Sequence, residues 1–330
     1  MKIKVIKKGM PCGPAAFEYA PGYVFDYSAD CCDYDWLVVY DEMPTCDVGT
    51  FHDGYEPLAC PKECTMLLTQ EPVSIKSYSR PYTRQFGHLL TNRPQSAENH
   101  PHYHLGRGYY DWYIGRTYKE CVETVIPPKS KLISVVCSSK RMRNTKHNAR
   151  YRLTESLVAA IPEIEWFGRG VRGFDKKYDT LDPYKYHVTI ENHIEPHHWS
   201  EKLADVFLAE CLPLYAGDPA ADEVFPPESF IPIPIDDPAE SAKIVKAAIA
   251  SGEYEKRREA ILEAKRLIIS KYNFWAQVIE LIESEAGQST TPVDKANPVR
   301  IYARKALRKH SLSAALEDGF EHLKQYLRLP

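Results

Sequence analysis

Short apolar runs recur along the first third of the chain, and each one ends in polar residues typical of a loop. The runs are MKIKVI, DWLVVYDEMP, TMLLTQEPVS and GHLLTNRP. Runs of this length, bounded by turn residues, predict buried β-strands. Because each run is followed by polar residues, we expect a parallel sheet whose binding site lies at the carboxyl ends of its strands.

From about residue 129 onward, strand-like and helix-like segments alternate. KLISVVCSSK, IEWFGRG, YKYHVTIEN and CLPLYAG predict strands, whereas HNARYRLTESLVAAIPEI and SEKLADVFLAE have the apolar spacing of helices. Alternation at these lengths predicts a Rossmann-like α/β domain. Beyond residue 238 the pattern is mainly helical, and AGQSTTPVDKANP predicts a flexible joint before a last helical segment.

The predicted fold class is α/β, and the 330 residues are too many for one hydrophobic core. Pro127-Pro128 predicts a linker, which divides the chain into an N-terminal α/β domain over 1–128 and a C-terminal α/β domain over 129–288. Residues 289–330 form a helical, basic tail. Two such halves are expected in the GT-B architecture, in which two Rossmann-like domains face each other across a ligand-binding cleft, but the periodicity by itself does not select that fold.

The amino-acid composition limits the kinds of partner and the cellular compartment that we expect for this protein. A net charge of −3 argues against a nucleic-acid-binding protein, which would usually be strongly basic. Nine cysteines without a repeating spacing indicate reduced thiols. The basic start MKIKVIKKG lacks the apolar core of a signal peptide, and no apolar run reaches the length of a membrane span. We therefore expect a cytoplasmic protein.

The most informative stretch joins a predicted strand to a predicted helix. YKYHVTIEN ends at Glu191-Asn192, and Ser200-Glu201-Lys202 begins the helix nine residues later. Serine is a good N-cap, and a helix start favours phosphate. Lys202 opposes the helix dipole, which indicates a cation aimed at an anion, and the Glu201 carboxylate suits ribose hydroxyls. The alternative is a surface helix whose first turn happens to be Glu-Lys.

The wider stretch IENHIEPHHWSEKLADVFLAECLPLYAGDPAADEVFPPESFI resembles the donor-binding domain of family 10 glycosyltransferases, the α1,3/α1,4-fucosyltransferases. That family's pattern is Glu-Asn-Ser, then Asp-Tyr-x-Thr-Glu-Lys, a helix, a VPVVYG-P strand and turn, and PP-SFI. Upstream, HNARYRLTESL is similar to the family's Arg-led helix and WFGRG to its Phe-Gly-Arg turn. The resemblance covers roughly residues 130 to 285.

Three positions depart from the family pattern. His193 replaces a serine, His197-His198 replaces Asp-Tyr, and Ser200 replaces a threonine whose capping role it can keep. The tyrosine helps to hold the donor in the family. Either His198 substitutes for it, or the donor sugar is not fucose.

The resemblance implies transfer of L-fucose from GDP-fucose to a hydroxyl of a glycan acceptor, with inversion and without a metal cofactor. Fixed cations, Arg150 and Lys202, would neutralise the diphosphate. Arg152 takes the arginine role if the register shifts. Glu71, at the end of TMLLTQEP, is the candidate general base. The implied donor-binding residues are Arg150, Arg169, Glu191, Asn192, His198, Glu201 and Lys202.

Other interpretations rest on separate motifs. Asp33 to Asp35 has the Asp-x-Asp form of a metal site, but this spacing arises easily by chance. His100, His102 and His104 occupy alternate positions, and together with His197-His198 they raise the possibility of a metal-dependent hydrolase. No Cys or carboxylate partner stands at zinc-like spacing from them, however.

Two further possibilities concern partners. A non-catalytic glycan-binding protein could keep the fold without turnover. Residues 300–312, RIYARKALRKHSL, have the composition of an amphipathic helix on the inner face of an anionic membrane, although a solvated basic face is the commoner case. The lack of a membrane anchor is typical of a bacterial enzyme.

Overall fold

The computed structural model describes residues 1–8, 16–73, 75–140, 146–285 and 292–327. The strands, in chain order, are β1 (Lys2–Lys7), β2 (Ala16–Ala20), β3 (Tyr23–Asp26), β4 (Trp36–Tyr40), β5 (Tyr55–Pro57), β6 (Thr65–Leu68), β7 (His88–Thr91), β8 (Tyr103–Leu105), β9 (Lys131–Val136), β10 (Ile164–Phe167), β11 (Tyr184–Ile190), β12 (Leu212–Ala216), β13 (Ile231–Pro232) and β14 (Arg300–Tyr302). The α-helices are α1 (Arg80–Thr83), α2 (Tyr118–Glu123), α3 (His147–Ala160), α4 (Glu201–Leu208), α5 (Pro238–Ala250), α6 (Glu253–Lys256), α7 (Arg258–Ser270), α8 (Phe274–Ser284), α9 (Arg304–His310) and α10 (Leu312–Leu327).

The chain forms two compact units. The first contains residues 1–106 and 278–330, and the second contains residues 107–277. Each holds a parallel sheet with helices, so the predicted α/β class is confirmed, as are the two Rossmann-like halves that the GT-B architecture requires.

The sheet of the first unit has the order β2-β3-β1-β4-β6-β7-β8. All its pairs are parallel except the β2–β3 pair. Strands β4 and β6 are buried along their whole length, which explains why their sequences, WLVVY and TMLL, are apolar except for Thr65 and the Tyr40 hydroxyl. The four strands predicted in this part of the chain are present as β1, β4, β6 and β7.

The C-terminal segment packs on the first unit. Strand β14 pairs antiparallel with β5, and Ile301, Leu307 and Ala314 join the core that contains Phe86. Residues 300–302 were expected in a helix and lie in this strand instead, because their backbone completes the two-stranded pair. Part of the predicted flexible joint, residues 286–291, lies outside the described residues.

The second unit contains the sheet β10-β9-β11-β12-β13, which is parallel throughout. Its strands β9 to β12 and helices α3 and α4 match the sequence-based predictions. The unit begins before the predicted linker at 128, because Ile114 and Cys121 pack in the same hydrophobic cluster as Phe207. Among the described residues, no helix is long and apolar enough to cross a membrane.

Candidate functional site

Strands β9 and β11 are parallel neighbours, so their carboxyl ends lie at the same edge of the sheet of the second unit. Glu191 and Asn192 follow β11 directly, and α4 begins at Glu201. Arg150 lies in the first turn of α3, the helix that comes after β9. The fold therefore groups most of the candidate donor residues at one sheet edge.

Glu191 is buried and holds the start of α4. One carboxylate oxygen accepts a hydrogen bond from the Ser200 amide at 3.0 Å, and the other accepts one from the Ser200 hydroxyl at 2.6 Å. Only 1% of the side chain is exposed. The sequence predicted that Glu191 binds donor hydroxyls, but in this structure its carboxylate positions Ser200.

Lys202 lies between two carboxylates. Its Nζ is 2.8 Å from Glu201 and 3.4 Å from Glu191, and its side chain is 19% exposed. The Ser200 hydroxyl caps the helix by accepting from the Lys202 amide at 3.3 Å. Burial opposes the charge, but Glu191 and Glu201 outweigh it and raise the pKa of the Lys202 ammonium. A lysine at an unfavourable helix position is thus held charged.

Arg150 connects the ends of the two strands. Its guanidinium donates to the Asn192 side-chain oxygen at 2.8 Å and to the Val136 carbonyl at 2.6 Å. The Nε of Arg150 is buried and has no hydrogen-bond partner among the described residues. The side chain of Arg152, the alternative to Arg150, is exposed.

The charges of Arg150 and Lys202 both act on neighbouring groups at this edge. His147, one turn before Arg150, has a pKa lowered to about 4 by burial and then by Arg150, Lys140 and Lys202. The Arg150 charge also acts to lower the pKa of Lys202, which places the two cations within electrostatic range of each other. Such an arrangement suits a diphosphate.

Sequence reasoning missed the pair Lys177–Asp205. The Lys177 ammonium lies 2.7 Å from the Asp205 carboxylate, which is fully buried. Burial raises the pKa of Asp205 to about 6, against the opposing effect of Lys177. Lys177 also helps to lower the pKa of Glu201, although burial acts in the opposite direction. The available signal was an aspartate inside the apolar run LADVFLAE.

His198 is buried and neutral. Burial, together with the charges of His193 and Lys202, lowers its pKa to about 3. Its ring contacts that of His193 at 4.9 Å and that of Tyr110 at 6.1 Å, edge to face. An uncharged ring here can pack against a ligand but brings no charge to it.

Arg169 lies in the turn after β10, and its side chain is exposed. The turn requires glycine at Gly168, where φ is +145° and a Cβ would lie 2.3 Å from the Cys137 carbonyl oxygen. The Arg169 carbonyl accepts a hydrogen bond from the Ser139 amide at 3.0 Å. The structure fixes the backbone of this residue and leaves its guanidinium at the surface.

Glu71 belongs to the first unit, three residues beyond β6 and half-buried. Asp41, which sequence analysis did not select, follows the neighbouring strand β4 and has φ of +65°. Its carboxylate binds the Lys76 ammonium at 2.9 Å and the Tyr78 hydroxyl. Two carboxylates therefore stand at adjacent strand ends of this sheet.

The other candidate metal motifs have structural partners. Asp33 accepts from the Lys2 ammonium at 2.8 Å, and Asp35 accepts from the Lys2 amide at 2.7 Å. Of His100, His102 and His104, only His104 lies in strand β8. The three histidines therefore do not line one face of a strand, which a metal site built from all three would need.

Comparison with known proteins agrees with the motifs. Residues 126–248 match the family model described as the C-terminal domain of glycosyltransferase family 10 (fucosyltransferase). This match confirms the resemblance based on the Glu191 to Ile231 motifs and identifies a glycosyltransferase enzyme. A search of curated proteins found no match.

Solved structures with a similar fold are distant in sequence. A crystal structure of an α1,3-fucosyltransferase with GDP-fucose is 14% identical, with 82% of this chain and 90% of that chain covered at a TM-score of 0.47. A sucrose-phosphate synthase from Thermosynechococcus elongatus is 9% identical, with 86% and 87% covered at a TM-score of 0.42. These likenesses are weak, and the family match is confined to residues 126–248.

Proposed function

Because residues 126–248 carry the C-terminal domain of glycosyltransferase family 10, we propose that the protein moves L-fucose from GDP-fucose to a hydroxyl of a glycan acceptor, with inversion at the anomeric carbon. The observation that carries this proposal is the pair of cations, Arg150 and Lys202, held at the strand ends and helix start of the second unit.

The departing diphosphate gains negative charge as the fucosyl bond breaks, and fixed positive charges stabilise it without reorganisation. The planar guanidinium of Arg150 suits bidentate phosphate recognition, whereas the Lys202 ammonium acts as a point charge. The buried Nε of Arg150 has no hydrogen-bond partner in the described chain, and a phosphate oxygen would supply one. These protein cations would do the work that a divalent metal does in other transferases.

We assign each of the remaining donor-binding residues its own role. Glu201 accepts from ribose hydroxyls, since its lowered pKa keeps it ionised. Asn192 has its side-chain oxygen on Arg150, which leaves its amide group for the donor. Glu191 acts through Ser200 and is a positioning residue. His198 packs against the donor, and exposed Arg169 contacts the nucleotide.

Glu71 is the proposed general base. Its carboxylate takes the proton of the acceptor hydroxyl as that oxygen forms a bond to C1 of fucose. The C1–O bond to GDP breaks on the opposite face, and its electron pair leaves with the diphosphate. At C1 one bond forms and one breaks, and the acceptor proton moves to the Glu71 carboxylate, so a single displacement inverts the configuration.

A calorimetric titration of GDP-fucose without added divalent cations tests the proposal. We expect one site per chain, similar affinity with and without Mg²⁺, and fucose transfer when a panel of oligosaccharides is supplied. Proton NMR of the product would then show the inverted anomeric configuration. A folded protein that binds no GDP-fucose would contradict the fucosyl assignment, and binding without transfer to any acceptor would favour a non-catalytic glycan-binding protein.

A second candidate keeps the chemistry and changes the sugar. The observation in its favour is His198, a neutral, buried ring at the position of the family's donor-holding tyrosine. The same titration with GDP-mannose and with uridine and thymidine diphosphate sugars discriminates the two. Tighter binding of any of these than of GDP-fucose would transfer the proposal to that donor.

We also propose peripheral membrane contact from the cytoplasmic side. The supporting feature is on α10, where Leu312, Leu316, Phe320 and Leu323 are spaced by one helical turn and are 77%, 66%, 57% and 51% exposed. The basic helix α9 contributes less charge than expected, because Arg304 and Arg308 both pair with buried Asp318.

Vesicle co-sedimentation tests this contact. We expect binding to anionic vesicles that falls at least about tenfold when Leu312 and Leu316 are both replaced by serine, because each substitution removes an apolar side chain whose burial in the membrane would contribute about 1.5–3 kcal/mol. Val125→Ser is the matched control, since Val125 is apolar and 89% exposed in the second unit. Equal binding by all three proteins would refute contact through α10.

A further inference from the structure

Two histidines meet on adjacent strands of the first unit. His88 begins β7 and His104 lies in β8, the edge strand, and the β7–β8 register pairs Leu90 with His104. Because side chains alternate along a strand, His88, Leu90 and His104 share one face of the sheet. The Nδ1 of His88 lies 3.2 Å from the Nε2 of His104.

A carboxylate completes the group. Glu285 follows α8, and its oxygen lies 3.9 Å from the Nε2 of His104. One ligand atom from each of His88, His104 and Glu285 lies within 4.8 Å of the other two. All three residues belong to the first unit.

The Nδ1 lone pair of His88 faces the Nε2 of His104, and a metal ion between them would replace the hydrogen bond that Nε2 donates to Nδ1. The Nε2 of His88 lies 3.0 Å from the Glu63 carbonyl oxygen and donates to it, which fixes the tautomer with Nδ1 unprotonated. A backbone carbonyl that orients the second nitrogen is the usual support of a metal-bound histidine.

From this geometry we propose that His88, His104 and Glu285 bind one Zn²⁺ ion, with water in the fourth position. Zn–N bonds of about 2.0–2.1 Å put two ligating nitrogens of a tetrahedral site roughly 3.3 Å apart, close to the separation found here. Imidazole and carboxylate ligands suit a borderline cation of this kind better than Ca²⁺ or Mg²⁺. The ion would tie the end of α8 to the edge of the sheet.

The neighbouring histidines are outside the ligand set. His100 uses its Nδ1 to accept from the His102 amide at 3.1 Å and its Nε2 to donate to the Phe86 carbonyl at 3.3 Å. His102 lines the same cavity of about 860 Å³ as His88 and Glu285, and its ring centroid lies 5.4 Å from that of His88. His102 therefore provides a near control that is not a proposed ligand.

The test uses the full chain without an affinity tag, stripped with a chelator and then desalted. Zn²⁺ is titrated in competition with a chromophoric chelator, and the bound metal is measured by mass spectrometry. We expect one equivalent per chain and a rise in the thermal unfolding midpoint. We also expect His88→Gln and His104→Gln to weaken binding beyond the roughly 10–100-fold that loss of an outer partner costs.

His102→Gln is expected to keep the full equivalent. Co²⁺ replaces Zn²⁺ as a second probe, and its visible absorption should be strong in the wild type and weak in Glu285→Gln. Circular dichroism of each metal-free variant confirms that it is folded. Less than a tenth of an equivalent in the wild type, or equal Zn²⁺ binding by wild type and the His88→Gln/His104→Gln double variant, would overturn the proposal. GDP-fucose binding is measured separately, so neither outcome depends on the transferase activity.

Discussion

Replacing Lys202 by alanine is expected to weaken GDP-fucose binding roughly 30- to 1,000-fold, or about 2–4 kcal/mol, because the change removes one partner of a desolvated charge pair with the diphosphate. The ammonium is held charged between Glu191 and Glu201. The measurement is calorimetric titration of GDP-fucose into each variant. Lys185→Ala is the matched control, since Lys185 lies on β11 of the same sheet but pairs at the surface with Glu255.

The alanine variant also leaves the buried carboxylate of Glu191 without its cation, which costs stability whether or not Lys202 touches the donor. A second variant separates the two effects. Combining Lys202→Ala with Glu191→Gln removes the uncompensated charge, so the unfolding midpoint should recover while donor binding stays weak. If donor affinity recovered together with stability, Lys202 would be a structural residue and its proposed role would be wrong.

The sequence predicted the donor side of the site well because its signals are local. A strand ending at Glu191, an N-cap at Ser200 and the first turn of α4 follow one another within a short stretch of chain. The sequence did not show where the loop between them goes. A left-handed backbone at His197, with φ of +67°, helps to direct this loop, which brings Ser200 onto Glu191 and turns a presumed ligand residue into a support.

Long-range contacts account for what was missed. Lys177 contacts Asp205 from the short 3₁₀ helix Lys177–Thr180 before β11. The residues next to Lys177 in the sequence do not predict this pair. Glu285 is far along the chain from His88, so zinc-like spacing could not be recognised between them. Strand β14 has three residues and no distinct pattern, and its pairing with β5 defines it. In each case tertiary packing decides the outcome.

Two carboxylates, Glu71 and Asp41, follow adjacent strands of the first unit, and either could act as the general base. The Asp41 carboxylate is engaged by the Lys76 ammonium and the Tyr78 hydroxyl. We expect Asp41 to organise the strand ends through Lys76 and Tyr78, and Glu71 to carry the proton.

Glu71→Gln is expected to lower kcat by roughly 10²–10⁴ and to leave GDP-fucose affinity within about twofold, because the change removes a proton acceptor and keeps the side-chain shape. In the wild type, kcat should fall at low pH as Glu71 becomes protonated, and this fall should be absent from the Glu71→Gln variant. The measurement pairs initial rates of GDP release with calorimetry on the same sample. Glu63→Gln is the control, since Glu63 is exposed just before β6 begins, at the opposite end of that strand from Glu71.

Asp41→Asn supplies the competing outcome. If Asp41 organises the site, its loss should lower stability and affect kcat and KM together, because Lys76 and Tyr78 lose their shared partner. If instead Asp41→Asn removes the fall in kcat at low pH while Glu71→Gln retains wild-type kcat, the base is Asp41 and the assignment of Glu71 is wrong. The pH profile decides between them, since a purely structural loss lowers the rate at every pH alike.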